Sequence, residues 1–176
     1  MNKKTTFIIN PNSGTGRKLN SIRKTIDDLK TGENKIEVLE TQYAGHASEL
    51  VKKAKNNGTE LIVVIGGDGT VNEVGKELIG TEISMGIIPT GSGNGIARDL
   101  GISTHTKKAL DCILHGKEKS IDTGLVNDQH FIGLVGIGFD AFVAEEFNQK
   151  PIRGLFSYAS VVTETWNKGV YYRKPE

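Results

Sequence analysis

The chain is poor in the features that mark several broad protein classes. It has a single cysteine, Cys112, among 176 residues. No internal disulfide can form, so the covalent staple of small secreted domains is excluded and a reducing cytoplasm is the compartment implied. Cys112 stands in Ala109-Leu110-Asp111-Cys112-Ile113-Leu114 and is expected to be a buried structural thiol. Long apolar runs are also missing. The stretch from Phe7 to Ile9 turns polar at Asn10-Pro11-Asn12-Ser13, far short of the roughly 18 residues of a membrane span and too short for a signal peptide. There is no excess of either charge: 22 Lys and Arg face 21 Asp and Glu, for a net charge of +1. Bulk electrostatics therefore make no case for a nucleic-acid partner. His46, His105, His115 and His130 are scattered singly, without the spacing of metal ligands. Internal repeats and low-complexity linkers are absent as well.

What is present is a regular alternation. With 36% hydrophobic residues, the chain can fill one substantial core, or one core and part of a second. Short apolar runs at Thr5 to Ile9, Ile36 to Glu40, Leu61 to Ile65 and Met85 to Ile88 read as strands. Between them lie segments of helical period. Leu19, Ile22, Ile26 and Leu29 mark one; Leu50, Val51 and Ala54 mark another, ending near Asn56; a third is expected from about Val71 to Ile79 and a fourth from Thr106 to His115. This is the pattern of an α/β fold: an open, mostly parallel sheet with flanking helices.

Near residue 118 the pattern changes. Ile121 to Val126 and Phe131 to Val135 flank the turn-prone Asn127-Asp128-Gln129-His130, which predicts a β-hairpin. A helix is expected after Phe139-Asp140, and another including Ser157 to Trp166. Residues 1–117 are read as one α/β domain and 118–176 as the beginning of a β-rich second domain. One hairpin and two helices are thin material for a self-standing core. The chain is expected to be a fragment, its tail Tyr171-Tyr172-Arg173-Lys174-Pro175-Glu176 carrying no stop signal.

The most informative stretch is the strand Leu61 to Ile65 running into Gly66-Gly67-Asp68-Gly69-Thr70-Val71-Asn72-Glu73. Glycines at a strand exit let backbone N–H groups approach a ligand without obstruction by Cβ, and the helix that follows adds its dipole and unpaired amides. Phosphate is the ligand this suits. Asp68, a poor direct partner for phosphate, suits Mg²⁺ or a hydroxyl losing its proton; the plainer use of such an aspartate is as a helix cap. Two more glycine-rich strand exits weigh against the plain use: Asn10-Pro11-Asn12-Ser13-Gly14-Thr15-Gly16-Arg17 and Pro89-Thr90-Gly91-Ser92-Gly93-Asn94-Gly95. In an open parallel sheet such loops meet at the carboxyl edge of the strands. Neither a Walker-type loop nor a dinucleotide fingerprint after the first strand is present.

Together these loops resemble the diacylglycerol kinase catalytic-domain family, which includes sphingosine kinases and bacterial lipid kinases. The matching elements, from Phe7 to about Ala144, are Asn10 to Gly14, Thr41 followed by Gly45-His46-Ala47, Gly66 to Glu73, Pro89 to Asn94 and Gly136-Ile137-Gly138-Phe139-Asp140-Ala141. The resemblance implies an ATP-dependent, Mg²⁺-assisted kinase acting on a lipid hydroxyl, with no transmembrane segment and peripheral contact with the membrane from the cytoplasm. It implies ATP contacts from Asn10, Pro11, Asn12, Ser13, Gly14, Thr41, Gly67, Asp68, Gly69, Thr70, Val71, Asn72, Glu73 and Ser92. Asp68 would organise metal and phosphates or act as base. The Asp-Gly-Glu carboxylate and acidic Mg²⁺ ligands that bacterial members carry in the second domain are not assignable before Glu176. The isolated chain is accordingly expected to bind ATP weakly and to lack turnover. Asn94-Gly95 departs from the Asn-Asp of bacterial members, which leaves the lipid class open. An NAD kinase-like enzyme and a non-catalytic nucleotide-sensing module are the alternatives.

Overall fold

The structure, a computed structural model, describes residues 3–30, 35–136, 138–149 and 155–167. Its core is a four-stranded parallel sheet in the order β2-β1-β3-β4, formed by β1 (Thr5–Ile9), β2 (Ile36–Glu40), β3 (Leu61–Gly66) and β4 (Ser84–Pro89). Every residue of β1 and β3 is buried. A strand covered on both faces has no solvent side to make polar, so these two read as unbroken apolar or Thr-containing runs rather than as alternations.

Successive side chains feed two separate cores. Phe7, Ile9, Val63, Ile65 and Ile88 pack with α1 (Gly16–Lys30) and α5 (Thr106–His115). Ile8, Ile62, Val64 and Ile87 pack on the other face with α2 (His46–Asn56), α3 (Asp68–Leu78) and α4 (Gly95–Asp99). The chain leaving β1 thus goes to one face and the chain leaving β3 to the other, although β1 and β3 are paired neighbours. Their carboxyl ends form the switch point at which an open α/β sheet leaves a crevice. In register, Ile9 lies beside Ile65 and Gly66 beside Pro89, so the three glycine-rich loops start at one level.

Three expectations need correction. The helix after the glycine loop starts at Asp68 rather than Val71, because extended Gly67 is its N-cap and Val71 N–H already donates to Gly67 O. Cys112 is exposed: α5 turns Ala109 inward, with Leu110 and Ile113 partly covered, and Cys112 falls outside that stripe. The hairpin is shorter and its turn tighter than the sequence suggested. Strands β5 (Gly124–Val126) and β6 (Gln129–Phe131) pair Val126 with Gln129, leaving only Asn127 and Asp128 in the turn, both at positive φ (47° and 60°). That is the backbone of a two-residue type I′ hairpin, which draws Gln129 and His130 into the strand.

The chain divides into two compact units, Met1–Gly133 and Leu134–Glu176. The second is described by α6 (Phe139–Gln149) and α7 (Leu155–Asn167), where the Phe139 and Trp166 rings meet edge to face with centroids 5.9 Å apart. Ile137 and the tail from Tyr171 to Glu176 lie outside the described residues. Among the described residues no helix is long and apolar enough to cross a membrane.

Candidate active site at the carboxyl edge of the sheet

The loop after β1 is built around Asn10. Its N–H donates to Ile65 O (2.8 Å), carrying the ladder one residue past the strand. Its side chain works in both directions: Nδ2 donates to Thr70 Oγ1 (2.9 Å), and Oδ1 accepts from Asn12 N–H (2.9 Å). The second bond folds Asn10-Pro11-Asn12 into a side-chain-closed turn, and the first ties that turn to the opening of α3. Ser13 then meets the loop after β4, where Thr90 Oγ1 lies 3.0 Å from Ser13 Oγ.

The glycines permit backbone contacts that a Cβ would block. One on Gly14, which has φ of +90°, would fall 2.8 Å from Thr90 O; one on Gly91 would fall 2.7 Å from Gly67 Cα. Gly66 is roofed by Thr70, whose Cβ would lie 2.7 Å from an added methyl. The loops after β1, β3 and β4 therefore touch main chain to main chain. The N-cap Gly67 has no side chain to satisfy the first amides of α3, so those N–H groups are left for an anion.

Asp68 reaches across to the neighbouring loop, where its Oδ1 accepts from Ile96 N–H at 3.0 Å. It supplies the cap of α4, which Asn94 does not provide for its own helix. Asn94 instead adopts φ of 52° and donates from Nδ2 to Gly91 O (2.6 Å), closing the Gly91-Ser92-Gly93 turn. The next motif residues also reach outward. Asn72 Oδ1 accepts from Ile132 N–H (3.0 Å), and Glu73 Oε1 accepts from Gly45 N–H (3.1 Å) at the start of α2.

The structure therefore gathers Asn10 to Gly14, Gly67 to Thr70 and the loop bearing Ser92 at one edge. Ser92 is exposed at the tip of its turn. Thr41 joins from the next strand, 7% exposed, its N–H donating to Ile9 O (2.9 Å). Val71 can contribute only its main chain, because its side chain is 2% exposed in the core. Two residues of this edge were not singled out from sequence. Thr90 is marked only by standing before Gly91. Lys18 carries no motif signal: it donates Nζ hydrogen bonds to Pro89 O (2.8 Å) and Thr104 O (3.2 Å), and burial pushes its pKa below the usual lysine value.

A divalent cation has one carboxylate here. Asp68 Oδ2 accepts no hydrogen bond among the described residues, whereas Oδ1 is taken by Ile96. That suits an ion such as Mg²⁺, which is held by one or two carboxylates, substrate phosphates and water rather than by an all-protein cage. No cluster of three His, Cys, Asp or Glu side chains able to hold a metal is found among the described residues.

Comparison with known proteins supplies the context. The model of the diacylglycerol kinase catalytic domain matches residues 4–126. A diacylglycerol kinase of Mycobacterium tuberculosis (strain ATCC 25618 / H37Rv) is 35% identical over 153 residues, covering 83% of this chain and 49% of that protein. The diacylglycerol kinase of Bacillus subtilis (strain 168) is 34% identical over 139 residues, 77% of this chain and 46% of its own length. The crystal structure of a diacylglycerol kinase from Bacillus anthracis str. Sterne superposes with a TM-score of 0.64 at 31% identity, over 73% of this chain and 48% of that one. The chain spans about half the length of the relatives it matches.

Proposed function

This chain belongs to the diacylglycerol kinase catalytic-domain family, and from that premise we propose that it supplies the nucleotide-binding part of an ATP-dependent lipid kinase. The observation that carries the reading is the locked meeting of three glycine-rich loops at the switch point, through Asn10 to Thr70, Thr90 to Ser13 and Asp68 to Ile96. Such an edge offers amides and a helix dipole to a chain of phosphates at little reorganisation cost, which is what phosphoryl transfer requires.

In the proposed reaction, the oxygen of a lipid hydroxyl forms a bond to the γ-phosphorus of ATP, the bond to the β-phosphate oxygen breaks, and ADP leaves while the hydroxyl proton passes to a base. Main-chain amides of Gly14, Gly67, Gly69 and Thr70, with the hydroxyls of Ser13 and Ser92, bind and orient the phosphates. Thr41 borders the nucleotide from the end of β2. Asn72 and Glu73 belong to the site through the loops they hold. Asp68 either keeps Oδ2 for a metal or receives the proton there. Mg²⁺, when bound, neutralises charge on the phosphates. Residues 1–117 would form the nucleotide domain and residues from 118 onward the start of the lipid side. The protein would work in the cytoplasm and meet its acceptor at the membrane surface.

The test is to supply the full-length protein with γ-labelled ATP, Mg²⁺ and either diacylglycerol vesicles or NAD. Label entering the lipid phase supports the proposal. Label entering NAD alone would replace it with the NAD kinase reading, and ATP binding without transfer to either acceptor would favour a nucleotide-sensing module.

A further inference from the structure

Downstream of the glycine loop, α3 has a notch. Gly75 is buried, and a Cβ placed on it would lie 2.1 Å from Ile132 Cδ1. Ile132, 6% exposed, thus sits as a knob in the space that the missing side chain leaves. Asn72 is three residues earlier, on the same side of the helix, and its Oδ1 accepts the Ile132 N–H at 3.0 Å. The following residue, Gly133, has φ of +90°, and a Cβ there would fall 2.7 Å from Ile96 Cγ1 on α4. The exit from β6 is therefore pinned to α3 by a hydrogen bond and a knob, and lies against α4 through bare backbone. These are the two helices whose first turns carry the Gly66 to Gly69 and Pro89 to Asn94 loops, and Asp68 already links them through Ile96 N–H.

We infer that Asn72 is a positioning residue that acts on the nucleotide through Ile132: the segment Phe131 to Gly133 is a wedge that fixes the spacing of α3 and α4, and with it the two phosphate loops. The inference rests on the ATP-dependent reading given above. A side chain that touched phosphate would need the Asn72 amide as a donor, whereas the wedge needs only its acceptor oxygen. The two roles respond oppositely to a carboxylate. In Asn72→Asp the acceptor for Ile132 N–H survives, while a negative charge is placed where a phosphate contact would be.

Affinity for Mg-ATP and the KM values for ATP and for the lipid acceptor are to be measured on the full-length protein, well below the melting temperature of each variant. Asn72→Ala should weaken ATP by up to roughly tenfold, the scale of one lost hydrogen bond, with the acceptor KM unchanged. Asn72→Asp should retain near-wild-type affinity. An Asp variant that binds ATP as poorly as the Ala variant, or worse, would overturn the inference, as would an Ala variant equal to wild type. A second pair guards against misfolding. Gly75→Ala should weaken ATP, and adding Ile132→Val should restore it, because valine lacks Cδ1 and the next atoms stand off at 3.4 Å (Ile132 Cγ1) and 3.6 Å (Met85 Cε). Absence of that rescue also counts against the wedge. If wild-type protein neither binds nor consumes ATP, the kinase reading itself fails and the inference falls with it, an outcome distinct from normal ATP use that is indifferent to these variants.

Discussion

At the scale of single residues, the two oxygens of Asp68 separate structure from chemistry. Oδ1 caps α4 through Ile96 N–H at 3.0 Å, and Oδ2, which accepts no hydrogen bond among the described residues, is the oxygen proposed for ligand or metal. Asparagine can reproduce the first contact but not the negative charge. Asp68→Asn should therefore keep its melting temperature while kcat falls by about 100-fold or more, the usual cost of losing a group that handles a proton or metal. Asp68→Ala should lose both, adding about 1 kcal/mol of destabilisation from the missing cap, a fall of roughly 2–4 °C in Tm for a chain of this size. Calorimetry on this chain and steady-state kinetics on the full-length protein check this for both variants, and a full-length Asn variant with full turnover would remove Asp68 from the chemistry. The meeting of Asp68, Asn10 and Gly67 at one sheet edge was legible in the sequence because glycines and short polar side chains after a strand mark a tight loop that opens a helix. Lys18 was not. A lysine in the first turn of an amphipathic helix looks solvent-facing, and only the fold brings Pro89 O and Thr104 O within its reach.

At the scale of elements, legibility follows burial. β1, buried throughout, has the bounds its apolar run predicts, because a strand covered on both faces is apolar from end to end; in α5 the bounds hold but only Ala109 is buried, and there the reading of Cys112 failed. The hairpin has little core behind it: Leu125 is 57% exposed and Val126 39%. Its bounds come from the turn, and they could not be placed until Asn127 and Asp128 were seen at positive φ. That geometry makes a prediction at the second turn position. Asp128→Gly relieves a left-handed conformation and should raise stability by about 0.5 kcal/mol, whereas Asp128→Val, β-branched at φ of 60°, should lower it by roughly 1–2 kcal/mol. Urea midpoints at constant m-value measure both. Equal stability of the two variants would mean that the turn is not held in this conformation in solution.

At the scale of the whole molecule, the division after Gly133 differs in kind from the change of sequence pattern near residue 118. The pattern shift marks where alternating β and α segments give way to a hairpin; the compact unit extends to Gly133 because Ile132 is sunk against α3 and Gly133 lies on α4. No hydropathy pattern could show this, since the contact depends on an absent side chain at Gly75. The boundary has a consequence for proteolysis. Leu134 is 98% exposed in a segment without helix or strand, directly after the last pinned residue. Among the described residues, the other exposed chymotryptic side chains are held in place: Leu125 is paired in the hairpin, Trp166 lies within α7, and the Tyr43 hydroxyl donates to Glu49 at 2.9 Å while its ring stacks on His46. A protease cuts most readily where an exposed side chain stands in backbone outside helix and strand. Among the sites in the described residues, brief chymotrypsin treatment should therefore cut first after Leu134 and leave a stable fragment ending there, identifiable by mass spectrometry. A first cut within the hairpin would mean that the Ile132 wedge is not seated in solution, and would also remove the support that the positioning role of Asn72 requires.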